Sequence, residues 1–251
     1  MWPAARCLFR RHLAQQYRFS SLGLVWACAP AVATALVLVA GQRTHLIDEA
    51  KGGVPAAFYG VFGLTLAQTF LDAITVCRRV FIQHQPVLRR QNVPLEGFIL
   101  AALLEAGFNL LLRLGVLAVI CFLCSVVPTA ALPVALWGIC GVLCLGAGCG
   151  LLLAPFNSLG RDIDNLMALF PWLLFAVTPV FVGVAAGSVF ARIHAVNPLA
   201  WLFDGIRAAA YGGNGSLLAA ACGPLVGVAL LIVGWLFCRL ARPFVVERML
   251  V

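Results

Sequence analysis

Lysine is almost absent. Lys51 is the only one in 251 residues; every other side chain of fixed positive charge is an arginine. A phosphate-binding P-loop needs G-x-x-x-x-G-K-[ST], because a lysine must reach the phosphates. Lys51 belongs to no such motif, so the chain cannot hydrolyse ATP by that route. Charge of either sign is scarce. Ionised residues make up 10% of the chain, where a soluble domain carries about 25%. The four histidines, His12, His45, His84 and His194, are scattered, and no H-E-x-x-H occurs, so a metalloprotease of that type is excluded. Ser158 has no histidine placed by the sequence to activate it. Asp204-Gly205-Ile206-Arg207 is similar to the opening of the aspartate motif of lipid-headgroup transferases. Asp204 is the last aspartate, so the metal-holding partners that chemistry needs downstream are missing. Cys121 and Cys124 form a C-x-x-C without a second pair at ligand spacing. The cysteines read as small apolar packers. Enzyme chemistry, a cofactor and a metal site in this chain therefore have no motif behind them.

What the chain does have is apolar length. Apolar residues make up 63% of it. No soluble fold of this size hides so much apolar surface, and the bilayer is the expected solvent. A helix needs about 20 mainly apolar residues to cross about 30 Å of hydrocarbon. Six runs meet that length: 22–40, 55–76, 97–124, 133–155, 166–186 and 217–238. The alternating ten-residue segments of a membrane barrel are absent. The expected fold is an all-α polytopic membrane protein, one transmembrane domain over 1–251, with six spans.

The basic residues are distributed unevenly along those spans. Arg6, Arg10, Arg11, Arg18, Arg78, Arg79, Arg89, Arg90, Arg161, Arg239, Arg242 and Arg248 fall on one side of a six-span arrangement. Only Arg43, Lys51, Arg192 and Arg207 fall on the other, and Arg113 lies inside a span. Positive residues collect on the cytoplasmic side, so both termini are expected there. The net charge of +8 then reports topology, not nucleic-acid binding.

Several segments carry finer expectations. Over 1–20, Phe9, Leu13 and Tyr17 recur every four residues while Arg10, Arg11 and Arg18 take other faces. This predicts an amphipathic helix in the headgroup plane; an ordinary positive flank is the alternative. Between the second and third spans lies a polar island, Cys77 to Phe98, with Arg78, Arg79, Arg89, Arg90 and His84. Glu105, Asn109 and Arg113 share one face of the third span. They form either an internal ion pair or a polar stripe on a conduit. Asp72 is placed to reach headgroups or Arg78 and Arg79. Gly146 and Gly150 make a G-x-x-x-G that suits close helix packing, within the chain or between copies. Pro171 and Pro179 are expected to interrupt the fifth span. After Asn197-Pro198, the apolar face Leu199, Leu202, Phe203, Ile206 and Ala210 predicts a short helix on or in the outer leaflet, with Asp204 and Arg207 as i, i+3 partners.

Four blocks carry a resemblance. They are Tyr17-Arg18-Phe19-Ser20-Ser21-Leu22-Gly23-Leu24-Val25-Trp26 with Pro30; Pro86-Val87-Leu88-Arg89-Arg90 with Pro94; Arg161-Asp162-Ile163 followed by Thr178-Pro179-Val180; and Asn197-Pro198-Leu199 with Arg207. In this order on a both-ends-in chain they resemble the membrane subunits of ABC-2-type polysaccharide exporters, the O-antigen, capsule and teichoic acid permeases. The likeness covers nearly the whole chain. It departs at Gln83-His84-Gln85, where the family often has asparagines, and in the alanine-rich stretch after the fifth span.

The resemblance implies a bacterial inner-membrane, multi-pass permease that pairs as a homodimer with two ATP-binding cassette subunits. ATP and Mg are then bound by that partner, not by this chain. It implies that Arg78, Arg79, Phe81, Val87, Leu88, Arg89, Arg90 and Pro94 form a coupling helix that docks on the partner. Arg161 and Asp162 stand in the cytoplasmic loop before the fifth span. Arg10, Arg11 and Arg18 meet the phosphate of a lipid-linked glycan where it enters. Glu105, Asn109, Arg113, Trp172, Phe175 and Phe181 are the candidates for a pore or polar stripe. An ABC-2 permease for a drug, lipid or haem is the near alternative, and a non-transport membrane scaffold the distant one.

Overall fold

The computed structural model describes residues 6, 8–9, 23–43, 54–90, 95–160, 162–178, 180, 189–213 and 215–250. The amphipathic stretch 10–20, and with it Arg10, Arg11 and Arg18, lies outside the described residues, as do Pro94, Arg161 and Phe181. No strand occurs among the described residues. A chain this apolar meets its own backbone hydrogen bonds within each segment, which is why helices dominate.

The helices are α1 (Gly23–Arg43), α2 (Ala56–Arg78), α3 (Val80–Gln83), α4 (Gln85–Arg90), α5 (Leu95–Leu123), α6 (Leu132–Leu159), α7 (Asp162–Val177), α8 (Val189–Val196), α9 (Pro198–Tyr211) and α10 (Leu217–Leu250). Four of them, α2, α5, α6 and α10, are long and apolar enough to cross a membrane.

α6 is the spine. It lies between α2 and α10, with α5 and α1 beyond α2. Glycine allows the approach on both sides. A Cβ on Gly146 would sit 2.5 Å from the Phe70 carbonyl oxygen of α2, and one on Gly150 would sit 2.6 Å from that of Ile74. On the other side Gly148 meets the backbone of Leu230 and Leu231 on α10. The G-x-x-x-G therefore packs within the chain.

Two apolar clusters fill the bundle. One, at the Tyr59 end of α2, holds Phe58, Phe62, Ile139, Phe203 and Ile206. The second, at the Arg78 end, holds Phe81, Leu88, Phe98, Leu151, Cys238 and Val245.

Two expectations need correction. The fifth apolar run is not broken at Pro171: α7 runs through it and stops at Val177. Thr178 leaves the helix because the residue before a proline, here Pro179, is pushed out of the helical region. The described helix is thus 16 residues, about 24 Å at the usual rise. The segment after Asn197 forms the expected short helix, α9. Its apolar face is buried against α6, α10 and α2. Gly138 and Gly205 admit it: a Cβ on either would fall 2.6 Å from Ile206 Cγ1 or the Ser216 carbonyl oxygen, respectively. Asp72 reaches neither Arg78 nor Arg79 but forms an ion pair with Arg113 of α5.

The short connections are well closed. Asn197 caps α9 by accepting from Leu199 N at 3.0 Å, with Pro198 in the first turn. α9 ends at Gly212, whose φ of +86° is the left-handed conformation that glycine tolerates.

Candidate functional site: two buried arginine clamps

Polar side chains inside an apolar bundle need partners, since an unpaired charge there is expensive. Two arginines meet this need at opposite ends of α2.

Arg78 is the last residue of α2, and its side chain is 3% exposed. Its Nη1 donates to Asn157 Oδ1 at 2.9 Å and forms an ion pair with Asp164 Oδ1. Asn157 Nδ2 returns a bond to the Arg78 carbonyl at 3.4 Å. Asn157 lies in the last turn of α6 and Asp164 in the first turn of α7. A carboxylate in a first turn is also favoured by the helix dipole. Arg79 stands further off, 3.9 Å from Asp164, and is half exposed. The clamp ties the ends of α2 and α6 to the start of α7.

Arg207 of α9 is buried to the same degree. Its Nη1 donates to the Tyr59 hydroxyl at 2.9 Å and to Asp204 Oδ1 at 3.3 Å. Its Nη2 donates to the Val180 carbonyl at 2.9 Å. The guanidinium also lies 4.1 Å from the centre of the Tyr59 ring, a cation–π contact. Asp204 holds His194 Nε2 at 2.8 Å. Beside it, Asn197 Nδ2 donates to Thr178 Oγ1 at 3.1 Å. This clamp ties α9 to the start of α2 and to the segment just past α7. Tyr211 packs its ring edge-on against Phe58 and Phe62. Burial pushes its phenol above the ordinary range, only partly opposed by the Arg207 charge.

α7 is therefore held at both ends by buried arginines. Between the clamps it is thinly packed. Leu174 is its only buried residue among those described. Leu166, Leu169, Trp172 and Leu173 face outward, with Trp172 75% exposed. Phe175 is half-buried against the Tyr59-end cluster.

The polar island is a bent helical pair, α3 and α4. Its apolar residues turn inward. Phe81 is fully buried, Val80 and Leu88 nearly so, and Val87 packs half-buried on the same cluster. The His84 ring packs tilted against Phe98, ring centres 4.3 Å apart, with Nδ1 3.0 Å from the Val80 carbonyl oxygen. So Phe81 and Leu88 pack in the chain's own core, and Arg78 serves its own clamp. Among the described side chains of the island, Arg79, Ile82 and Gln83 face outward. Arg89 and Arg90 lie on α4.

Glu105, Asn109 and Arg113 are all half-buried on α5, and Arg113 bridges to α2 through Asp72. Asp162 is exposed at the start of α7. Sequence reasoning did not find Tyr59, Asn157, Asp164, His194 or the Val180 carbonyl. Asn157 and Asp164 carried one usable signal. They are polar residues flanking the end of an apolar run, close to where an arginine at the end of another run needs an acceptor.

No protein-family model matches this chain, and no curated protein matches it.

Proposed function

We propose that this chain is the membrane-spanning permease subunit of an ABC transporter that exports a lipid-linked polysaccharide across a bacterial inner membrane. In this reading it has six spans with both termini cytoplasmic. Two copies pair over two ATP-binding subunits that bind ATP and Mg. The observation that carries the reading is the double clamp on α7. The third and fourth resembling blocks, Thr178-Pro179-Val180 and Asn197-Pro198-Leu199 with Arg207, meet at one clamp. The polar island and the segment after Arg161-Asp162-Ile163 meet at the other, through Arg78 and Asp164.

The arrangement suits a gate. A helix with few packed contacts and two polar anchors shifts as a unit when one anchor moves. Arg78, at the start of the island, joins it directly to α7 through Asp164, so force applied to α3 and α4 reaches α7 through one ion pair. An effector shifts such an element only by binding its two positions unequally; the nucleotide state of the partner supplies that difference. The docking surface is the exposed side of the island, Arg79, Ile82 and Gln83, together with Arg89 and Arg90. Charge-assisted contacts from these arginines to acidic groups of the partner are the expected chemistry. Trp172 on the outward side of α7 is placed to stack on sugar rings along the path.

The test is a charge reversal, Arg89→Glu with Arg90→Glu, in cells carrying the ATP-binding partner. The variant should insert normally, lose export, and leave lipid-linked glycan on the cytoplasmic side. Full export by that double variant overturns the docking assignment. Absence of any co-purifying ATPase whose turnover rises on binding overturns the transporter reading.

A further inference from the structure

The hairpin between α5 and α6 carries a feature that the gate reading does not use. α5 ends in a left-handed turn at Ser125, φ +52°. Val126 N donates to the Cys121 carbonyl at 3.1 Å and Ser125 N to the Phe122 carbonyl at 3.2 Å. This nested pair is the Schellman closure of a helix. It places Cys121 at the third residue from the end and Cys124 at the cap, three apart and on one side. Cα atoms three apart in a helix are about 5 Å from one another, inside the roughly 4.4–6.8 Å window that a disulfide spans. Cys121 Sγ is already turned toward the cap, donating to the Val126 carbonyl at 3.3 Å. Both side chains are half-buried against the Tyr59-end cluster.

We propose that Cys121 and Cys124 form a reversible disulfide that staples the last turn of α5. The inference rests on the topology given under Proposed function, which puts this hairpin on the non-cytoplasmic, oxidising side, where disulfides persist. The oxidant is a dithiol oxidant in its disulfide form. One cysteine thiolate attacks a sulfur of that disulfide, making a mixed disulfide and releasing one thiol. The second cysteine attacks the mixed disulfide and releases the other. Two electrons pass to the oxidant, and the two protons end on its thiols. The staple bears on α9, because Thr129 of the same hairpin bonds the carbonyls of Ala209 and Ala210. Those residues lie just beyond Arg207.

The experiment blocks free thiols with N-ethylmaleimide in acid-quenched, denatured membranes from expressing cells, then reduces and adds a maleimide mass tag. Wild type should take two tags, and Cys121→Ser or Cys124→Ser none. Reduction should lower the midpoint of heat inactivation in detergent by about 2–4 °C, and only for wild type. Zero tags on wild type, or tags that persist in Cys121→Ser, overturn the staple. A parallel arm places Val127→Cys in the Cys121→Ser, Cys124→Ser background and adds a membrane-impermeant maleimide to intact cells. Labelling there with zero wild-type tags removes the disulfide and leaves the topology standing. No labelling removes the topology and the disulfide with it.

Discussion

Arg78 and Arg207 stand at opposite ends of α2, about 28 Å apart along its axis, equally buried and both tied to α7 or its tail. They are held differently. The partners of Arg78 are side chains, Asn157 and Asp164, and the carboxylate is 43% exposed. The partners of Arg207 include a backbone carbonyl and an aromatic ring as well as Asp204. A clamp built on side chains can be undone from either side and is open to water. A clamp that includes a backbone carbonyl keeps that acceptor whichever partner side chain is changed. The first has the character of a joint, and the second that of a fixed hinge.

The largest effect should come from Arg207→Ala. It takes the arginine donor from the Tyr59 hydroxyl and the Val180 carbonyl, and leaves the Asp204 carboxylate with His194. Removing one side of a buried charge network costs about 3–5 kcal/mol. Heating in detergent, followed by measurement of the monodisperse fraction, should show most of the protein lost at temperatures wild type survives. Arg207→Lys should recover little, since a point charge cannot serve a ring, a hydroxyl and a carbonyl at once.

Arg78→Ala should cost less, about 2–3 kcal/mol, because Asp164 is open to water and still has Arg79 3.9 Å away. Asp164→Asn should cost less again, about 1 kcal/mol. A double-mutant cycle across Arg78 and Asp164 measures the joint directly. Coupling as large as that between Arg207 and Asp204 would erase the distinction between joint and hinge.

The smallest effect should be His194→Ala, under about 1 kcal/mol. It touches the hinge only through Asp204, which keeps Arg207. A loss matching Arg207→Ala would show that His194 is part of the anchor.

The legible parts of this molecule were the local ones. Long apolar runs announced helices, Asn197-Pro198 announced the start of α9, and the i, i+3 spacing of Asp204 and Arg207 announced their pairing. The contacts that matter most were not local. Tyr59 lies 148 positions from Arg207 and Asn157 lies 79 from Arg78. No spacing rule links such pairs. The inward turn of Phe81 and Leu88 was hidden for a related reason: four to six residues of helix do not reveal which face is inward until Phe98 and Val245 stand beside them.

Helix content and the apolar character of the chain followed from composition, because a backbone in an apolar setting must bond within its own segment. Which arginines are buried anchors and which face outward was settled only by packing. A guanidinium is equally charged everywhere, and only the acceptors brought to it by distant helices decide whether it is buried in a clamp, as Arg78 is, or left facing out, as Arg79 is.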